Sequence, residues 1–435
     1  MMGRILITCI ILSATARANP IDAFGLGARS IALGGAATAN TEDSSANYYN
    51  PSALALSRGL RLDLGYAYVL PALKLNGNDQ NVDSSRGLQI GAILPTELGR
   101  RRIAFSVGLH LPDERISRVR ALPQRQPRWV LWDNRPQRLV VSSSVALELV
   151  ENLYFGAGLT YLANTGGVVD LRGDVDLLDA QKTNLSTKVD VNLKSIRYVS
   201  AGLTYRPSSR WRLGVAYRED FSLRLDLAVN VQGDVVIDGA PVVSDGRFYL
   251  SSRNDNLYSP QQLVGGLAYT GARWHISVDL GWINWARYPT PTAHVQLDLT
   301  LDPLDVSLPL PAKPTPPGFR DIWTPRVGIE WTAMSTNAVL FQLRSGYFYE
   351  PTPTPAQDGH TNYVDLDKHG FSLGLGIHFL DTDALIAGPL ELDITIQSIV
   401  LPRSQTRKRD PADPIGDYAA EGYTLGGFVS LGVNL

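Results

Sequence analysis

The feature that most constrains the fold is a strict alternation in "DKHGFSLGLGIHFL", residues 367–380. Every second residue from Phe371 to Phe379 is large and apolar, and the residues between them are small or polar. A period of two predicts an extended strand with one apolar face and one small or polar face. Either a protein core or membrane lipid could cover the apolar face, so the rest of the chain must decide between them.

About fourteen segments of this kind follow one another from residue 58 almost to residue 435. Their connections alternate between short and long, and the long ones occupy roughly residues 111–136, 231–247, 287–320, 351–366 and 401–419. Short periplasmic turns opposite long extracellular loops, with an even number of strands, are typical of a transmembrane barrel. One continuous strand is expected from Trp211 through Phe221, because the alternation keeps its phase there.

A soluble β-sandwich or propeller also alternates, but its strands are usually about five or six residues long. Here the apolar face stays unbroken for eight to ten residues in a segment. Aromatic residues beside the short turns fit an interfacial girdle; they are Tyr205, Trp211, Tyr269, Trp274 and Trp331. The sequence therefore predicts an all-β fold, a transmembrane antiparallel β-barrel of about fourteen strands over residues 58–435.

The first residues, "MMGRILITCIILSATARA", place Arg4 before an apolar run and small residues after it. This order predicts a secretory signal peptide, residues 1–18, cleaved before Asn19. The run is far shorter than the roughly 20 apolar residues of a spanning helix. The single cysteine, Cys9, lies within the predicted signal. An exported barrel of this kind is expected in the outer membrane of a Gram-negative bacterium.

Composition and motifs exclude several functional classes. The 40 basic and 42 acidic residues nearly balance, so the charge does not favour nucleic acid as a partner. The six histidines are scattered without the spacing of a metal site. No G-x-S-x-G nucleophile elbow occurs in the sequence. The sequence therefore predicts no enzyme, no metal site and no cofactor.

Residues 19–57 do not alternate and are rich in Gly, Ala, Asn and Ser. Small residues allow compact backbone packing, which a plug inside a barrel lumen requires. We therefore expect this segment to be a hatch that fills the lumen.

The same segment also resembles a known family. The stretch "GARSIALGGAATANTEDSSANYYNPSAL" is similar to the N-terminal hatch of the FadL-type outer-membrane transporters of long-chain fatty acids and aromatic hydrocarbons. The matching positions include the hatch residues Gly34, Gly35, Asn50 and Pro51. The similarity resumes in "VDLGWINWARY", in "PRVGIEWTAMSTNAVLFQLRSGYFYEPTPTPAQD" and in "EGYTLGGFVSLGVNL".

The resemblance implies passive uptake of hydrophobic small molecules. It implies capture at the extracellular surface, a lumen site near the mature N-terminus, and exit past the hatch through a lateral gap in the wall. Phe24 is the candidate ligand contact at that lumen site.

Two further pairs of residues are candidate ligand contacts. Trp129 and Trp132 lie in a long loop that should stand outside the membrane, where they either bind ligand or pack onto neighbouring loops. Arg102 and Arg344 point inward in the predicted register, and a planar guanidinium suits a carboxylate head group. The alternative is that inward charges simply pair with one another in a polar lumen.

A general diffusion porin, or a structural or assembly barrel, is the alternative function. The expected partners are a hydrophobic ligand, outer-membrane lipid and the barrel-assembly machinery, with no nucleic acid. We expect the chain to be a monomer.

Overall fold

The computed structural model of the chain describes residues 20–113, 126–132, 138–176, 184–237, 240–289, 294–300, 317–381 and 388–435. The predicted signal peptide, residues 1–18, lies outside these ranges. Within them, no helix has the length and apolar character that crossing a membrane requires.

Fourteen strands form one closed antiparallel barrel, which confirms the predicted fold. In order around the barrel they are β1 (Arg61–Leu75), β3 (Ser85–Leu98), β4 (Arg101–Pro112), β6 (Val140–Val150), β7 (Leu153–Asp176), β8 (Asn184–Tyr205), β9 (Trp211–Arg218), β12 (Gln262–Thr270), β13 (Trp274–Ile283), β15 (Ile322–Ser335), β16 (Val339–Glu350), β18 (Lys368–Phe379), β19 (Leu390–Thr406) and β20 (Tyr418–Asn434). β1 closes the barrel by pairing with both β3 and β20. Closure removes free strand edges, so backbone groups within hydrocarbon find partners.

Six further strands in the described ranges lie at the end of the barrel that has the long connections. They are β2 (Asn78–Asp79), β5 (Arg128–Trp129), β10 (Phe221–Ile237), β11 (Ala240–Ser259), β14 (His294–Thr300) and β17 (Tyr363–Val364). β10 pairs with β7 and β11, and β14 pairs with β11, so these strands extend the sheet beyond the wall. β5 and β17 form a separate parallel pair.

The expected continuous strand from Trp211 through Phe221 is wrong. β9 ends at Arg218, and β12 rather than β10 takes the next position in the wall. Phe221 is buried, and its ring stacks on Tyr198 with 4.8 Å between the centroids. The alternation could not reveal the break, because β9 and β10 carry their apolar residues in the same phase.

The two faces of the wall strands differ as the alternation predicts. In β18, Leu373 is 67% exposed on the outer face, whereas Ser372 is 2% exposed on the inner face. Other strands also expose apolar residues on their outer faces, including Leu62, Leu64, Phe105, Val107, Leu213, Val215, Ile276, Val278, Ile394 and Ile396. An outer wall of this kind is suited to lipid rather than to water.

The described part of the hatch, residues 20–57, lies inside the barrel. It contains α1 (Pro20–Phe24), α2 (Ala28–Ala32), α3 (Ala46–Tyr49) and a 3-10 helix (Pro51–Leu56). α2 packs against β16, β18, β19 and β20, whereas the 3-10 helix packs against β4, β6, β7 and β8. The hatch therefore spans the lumen between two opposite parts of the wall.

The depth of an outward residue should set the cost of placing a charge there. Leu373→Arg should destabilise the folded barrel by about 2–4 kcal/mol, because the position lies near the middle of a lipid-facing strand. Leu98→Arg is the matched control: Leu98 is also exposed but ends β3 beside a turn, where the cost should be about 0–1 kcal/mol. Denaturant unfolding in lipid vesicles measures both variants, and equal costs would contradict the assigned depth.

Candidate functional site

Gly34 and Gly35 form a turn of the hatch that meets the wall backbone to backbone. Both have positive φ, 65° and 74°. A Cβ on Gly34 would lie 2.7 Å from the backbone nitrogen of Tyr347, and a Cβ on the facing Gly346 would lie 1.9 Å from the backbone nitrogen of Gly34. This close approach requires glycine on both sides of the contact.

Asn50 and Pro51 fix the opposite side of the hatch. The Asn50 side-chain amide donates to the carbonyl oxygens of Thr38 at 2.7 Å and of Leu203 in β8 at 3.2 Å. Its Oδ1 accepts the backbone N–H of Ser52, which caps the 3-10 helix, and Pro51 begins that helix. One buried side chain thus joins the hatch to itself and to the wall.

Arg344 lies at the centre of a buried ion-pair network between the wall and the hatch. Its Nε donates to Glu330 at 2.7 Å, and its other two nitrogens donate to Asp393 and, at 2.7 Å, to Gln342. Glu330 also accepts from Arg29 of α2 at 3.0 Å. All three guanidinium nitrogens of Arg344 are therefore engaged by the protein, so this arginine is not free to bind a carboxylate head group.

Three more lumen arginines pair with carboxylates in the same way. The pairs are Arg61 with Asp63 and Glu391, Arg212 with Glu42, and Arg218 with Asp22. Glu42 and Asp22 belong to the hatch. Removing one partner of a buried ion pair leaves an uncompensated charge and costs about 3–5 kcal/mol. Of these, the buried pair of Arg218 with Asp22 opposes displacement of the hatch. By contrast, Glu42 is exposed and Arg61 pairs only within the wall.

Arg326 of β15 differs from these arginines. In the described structure no carboxylate lies within ion-pair distance of its side chain. Its one hydrogen bond is a long contact of 3.4 Å to the carbonyl oxygen of Gly34, and its guanidinium carbon lies 5.1 Å from the centre of the Phe348 ring. Of its five N–H groups, four remain available.

Arg326 lines a cavity of about 40 Å³ between the hatch and the wall. The apolar part of the lining includes Phe24, Ile31, Ile283 and Phe348. This volume has room for only a few water molecules. A hydrocarbon does not fit into a cavity of this volume.

Arg102 lies away from this cavity. It is the second residue of β4, beside the short turn, and its backbone N–H donates to Glu148 at 3.4 Å. The structure therefore does not bring Arg102 and Arg344 together, and it places Arg102 at the rim of the barrel.

Trp129 and Trp132 are buried, whereas a surface platform requires exposed rings. They are 0% and 1% exposed. β5, which contains Trp129, pairs with β17 of another long connection, and the Trp132 indole N–H donates to Asp365 at 3.0 Å. The Trp132 ring lies 6.3 Å from the ring of Phe24. Phe24 and Trp132, which the sequence suggests as separate ligand contacts, thus belong to one apolar cluster.

Sequence reasoning missed the rest of this cluster. Tyr288 and Phe319 stack with 4.2 Å between their rings, and Trp285 lies 6.2 Å from Phe319. We call these three residues, with Trp129 and Trp132, the apolar roof, because they cover the N-terminal turn of the hatch. The aromatic residues of "WINWARY" indicated a cluster at this point of the sequence. Alternation predicts only strands, however, so it cannot place residues beyond the end of β13.

The described ranges contain no group of three or more His, Cys, Asp or Glu side chains arranged to hold a metal ion. The geometry instead provides a plugged lumen, a small cavity beside a free arginine, and an aromatic cover.

Comparisons with known proteins were made on sequence and on structure. The family described as "Outer membrane protein transport protein (OMPP1/FadL/TodX)" matches residues 5–422. A search of curated protein sequences gave no significant match.

Three solved structures have a similar fold. A Pseudomonas aeruginosa FadL homologue is 16% identical with a TM-score of 0.57, over 97% of this chain and 98% of that chain. The P. putida toluene transporter TodX is 15% identical with a TM-score of 0.52, over 95% and 99% of the two chains. The CymD monoaromatic hydrocarbon channel is 13% identical with a TM-score of 0.54, over 94% and 97%. At such identities the likeness establishes the fold alone.

The family match spans nearly the whole chain, and the family consists of transporters and channels rather than enzymes. The closed barrel and its apolar outer wall are what this family match leads one to expect. The chain belongs to the OMPP1/FadL/TodX family of outer-membrane transport proteins, and it forms a β-barrel in the outer membrane of a Gram-negative bacterium.

Proposed function

We propose that the protein is a passive channel for hydrophobic small molecules. The observation that carries this proposal is the cavity between the hatch and the wall around Phe24, whose lining combines apolar side chains with charged ones such as Arg326. Two proteins of the same fold are named as a toluene transporter and a monoaromatic hydrocarbon channel, which supports cargo of a similar class. The alternative, a general diffusion porin, would require the hatch to leave the lumen.

We further propose that Arg326 binds the head group of cargo that carries a carboxylate. Its planar guanidinium can hold a carboxylate through two parallel hydrogen bonds. Asp279 faces Arg326 across the β13–β15 ladder, but one of its oxygens already accepts the N–H of Thr38 in the hatch at 2.9 Å. The apolar part of the cargo would lie against Phe24 and Phe348, which line the same cavity.

Uptake of two probes tests both proposals. The protein, expressed in a Gram-negative host without its own channel of this family, should admit radiolabelled oleate and toluene. Arg326→Gln should slow oleate uptake about tenfold, the loss expected for a hydrogen bond to a charged group, and should leave toluene uptake unchanged. Arg102→Gln, at the rim, is the matched control and should alter neither rate.

Each outcome separates one proposal from the other. If wild type admits neither probe, the channel function is wrong. If Arg326→Gln and wild type take up oleate equally fast, the head-group role is wrong while the channel function stands. A large single-channel conductance in planar bilayers would favour the porin.

The N-terminal turn of the hatch is the part that we expect to move. Asp22 attaches this turn by its carboxylate, which accepts from Arg218 of the wall at 3.2 Å and from Ser259 of β11. The later hatch residues are held by the glycine contact, by Asn50 and by further ion pairs. We therefore propose that residues 21–25 swing away to open the cavity, while residues 28–57 stay in place.

Reversible tethers test this division of the hatch. In Asp22→Cys/Ser259→Cys, a cleavable thiol bridge should stop uptake, and reduction should restore it. In the control Ser52→Cys/Thr204→Cys, which replaces hydroxyls 2.7 Å apart, uptake should be equal in the bridged and reduced states. Normal uptake with the first bridge closed would contradict movement of residues 21–25.

We propose that cargo leaves sideways through the wall near β3 and β4. A second cavity, of about 60 Å³, is lined by hatch residue Ser44 on one side and by the outer-face residues Leu64 and Ile90 on the other. Gly91 and Gly108 make the wall thin here, since neither has a side chain that could fill the cavity. The β3–β4 ladder is continuous in this closed state, so a gap would appear only when the hatch shifts.

Filling this cavity should block the exit. Ser142 lines it from β6, so Ser142→Trp should reduce oleate uptake severalfold. Ser143→Trp is the matched control, because the next residue is exposed on the outer face and an added ring would enter lipid. Heat-modifiable migration should show that both variants assemble. Equal uptake by the two variants would argue against this route.

A further inference from the structure

Three arginines at the short-turn end of the barrel have no acidic partner in the described structure. The turn between β8 and β9 begins with Arg206 and ends with Arg210, and the turn between β12 and β13 ends with Arg273. Neither turn contains an acidic residue. Arg210 and Arg273 are exposed, and the Nε of Arg206 is buried without a hydrogen-bond partner. We call these three residues the basic arc.

Backbone hydrogen bonds hold the two turns in place. The N–H of Thr270 donates to the carbonyl oxygen of Arg210 at 2.8 Å, and the N–H of Arg206 donates to Asn152 at 2.9 Å. The carbonyl oxygen of Arg273 accepts the N–H of Thr332 at 2.8 Å. The basic arc therefore occupies one fixed stretch of the rim, from β8 to β15.

An aromatic belt borders the basic arc on the outer face of the wall. Tyr205, Trp211 and Trp274 are 48%, 42% and 51% exposed. Trp211 lies 4.8 Å from Tyr269, and Trp274 stacks on Trp331 at 5.7 Å. Exposed aromatic rings of this kind lie at the level of lipid head groups. The three arginines beside them are therefore level with the phosphates of the leaflet.

Other sections of the same rim lack either the charge or the exposed Tyr and Trp rings. The turn between β15 and β16, residues 336–338, is uncharged, and the turn between β6 and β7 contains Glu151. The turn between β3 and β4 is basic, with Arg100, Arg101 and Arg102, but no exposed Tyr or Trp of the described residues lies beside it. Short turns of outer-membrane barrels face the periplasm, so the leaflet at this rim is the one made of phospholipid. Among the described sections of the rim, only the one from β8 to β15 thus combines arginines that lack an acidic partner with exposed Tyr and Trp rings.

We propose that the basic arc binds the phosphate of anionic phospholipids in the inner leaflet, with the acyl chains against the aromatic belt. Guanidinium–phosphate hydrogen bonds are charge-assisted and often bidentate, which favours arginine at such a site. One arginine near a membrane surface favours an anionic lipid by about fivefold at moderate ionic strength. This site is separate from the transport path and does not depend on the proposed cargo.

Tryptophan quenching by brominated lipids measures the preference directly. The protein is reconstituted in vesicles of brominated phosphatidylglycerol or brominated phosphatidylcholine, each mixed with unbrominated lipid. Wild type should prefer the phosphatidylglycerol at least about fivefold, and high salt should weaken the preference. Arg206→Gln/Arg210→Gln/Arg273→Gln should bring the two lipids close to equal association.

A matched variant separates the site from overall charge. Arg320→Gln/Arg403→Gln/Arg407→Gln removes three exposed arginines from the opposite end of the barrel and should keep the wild-type preference. Equal loss in both triple variants, or no preference in wild type, would overturn the proposal. So would full competition by soluble glycerol phosphate, which would indicate a phosphate site without lipid. If the first triple variant does not fold, Arg210→Gln/Arg273→Gln should show an intermediate preference, and an unchanged one would equally refute the site.

Discussion

The structure depends on one constraint, that backbone N–H and C=O groups inside hydrocarbon must find partners within the chain. The pairing of β1 with β20 meets this constraint by closing the wall. Closure uses the strand backbone, so it fixes the two faces of each strand but not what fills the lumen. The inner face can therefore carry glycines and charges, which is what allows Gly346 to meet Gly34 and Glu330 to meet Arg29.

The hatch is held unevenly, and this unevenness has a functional consequence. Between residues 28 and 57, contacts with the wall combine close backbone approach at Gly34, a fully engaged amide at Asn50 and buried ion pairs. Moving that part would break the glycine contact, the Asn50 hydrogen bonds and the buried Arg29–Glu330 ion pair together, and breaking one buried ion pair costs about 3–5 kcal/mol. The N-terminal turn has one described ion pair, the buried Asp22–Arg218 pair, and its Phe24 makes apolar contact with the roof. We therefore propose opening at the turn, where one described ion pair has to break, as the route to a larger cavity.

Alternation along the chain was sufficient to predict the barrel, because a period of two depends only on local sequence. It also separated residues 19–57 from the wall, although the domain boundaries themselves stay predictions. It could not predict the burial of Trp129, because this follows from a parallel pairing with Val364, more than two hundred residues away. Nor could it distinguish Arg344 from Arg326, since both point inward and only the positions of Glu330 and Asp393 on neighbouring strands decide which one is neutralised.

The position of Asp279 explains how one arginine can stay free in a lumen where the others are paired. Asp279 faces Arg326 across the ladder, yet its carboxylate is drawn to the N–H of Thr38 in the hatch. The closed hatch thus holds one oxygen of Asp279, while its Oδ1 is buried without a hydrogen-bond partner and lines the same cavity as Arg326. Because residues 28–57 stay in place in the proposed opening, Thr38 keeps this hydrogen bond to Asp279 while residues 21–25 move. We therefore expect an acidic cargo to enter the cavity once residues 21–25 have moved and to meet an Arg326 whose hydrogen-bond donors are still available.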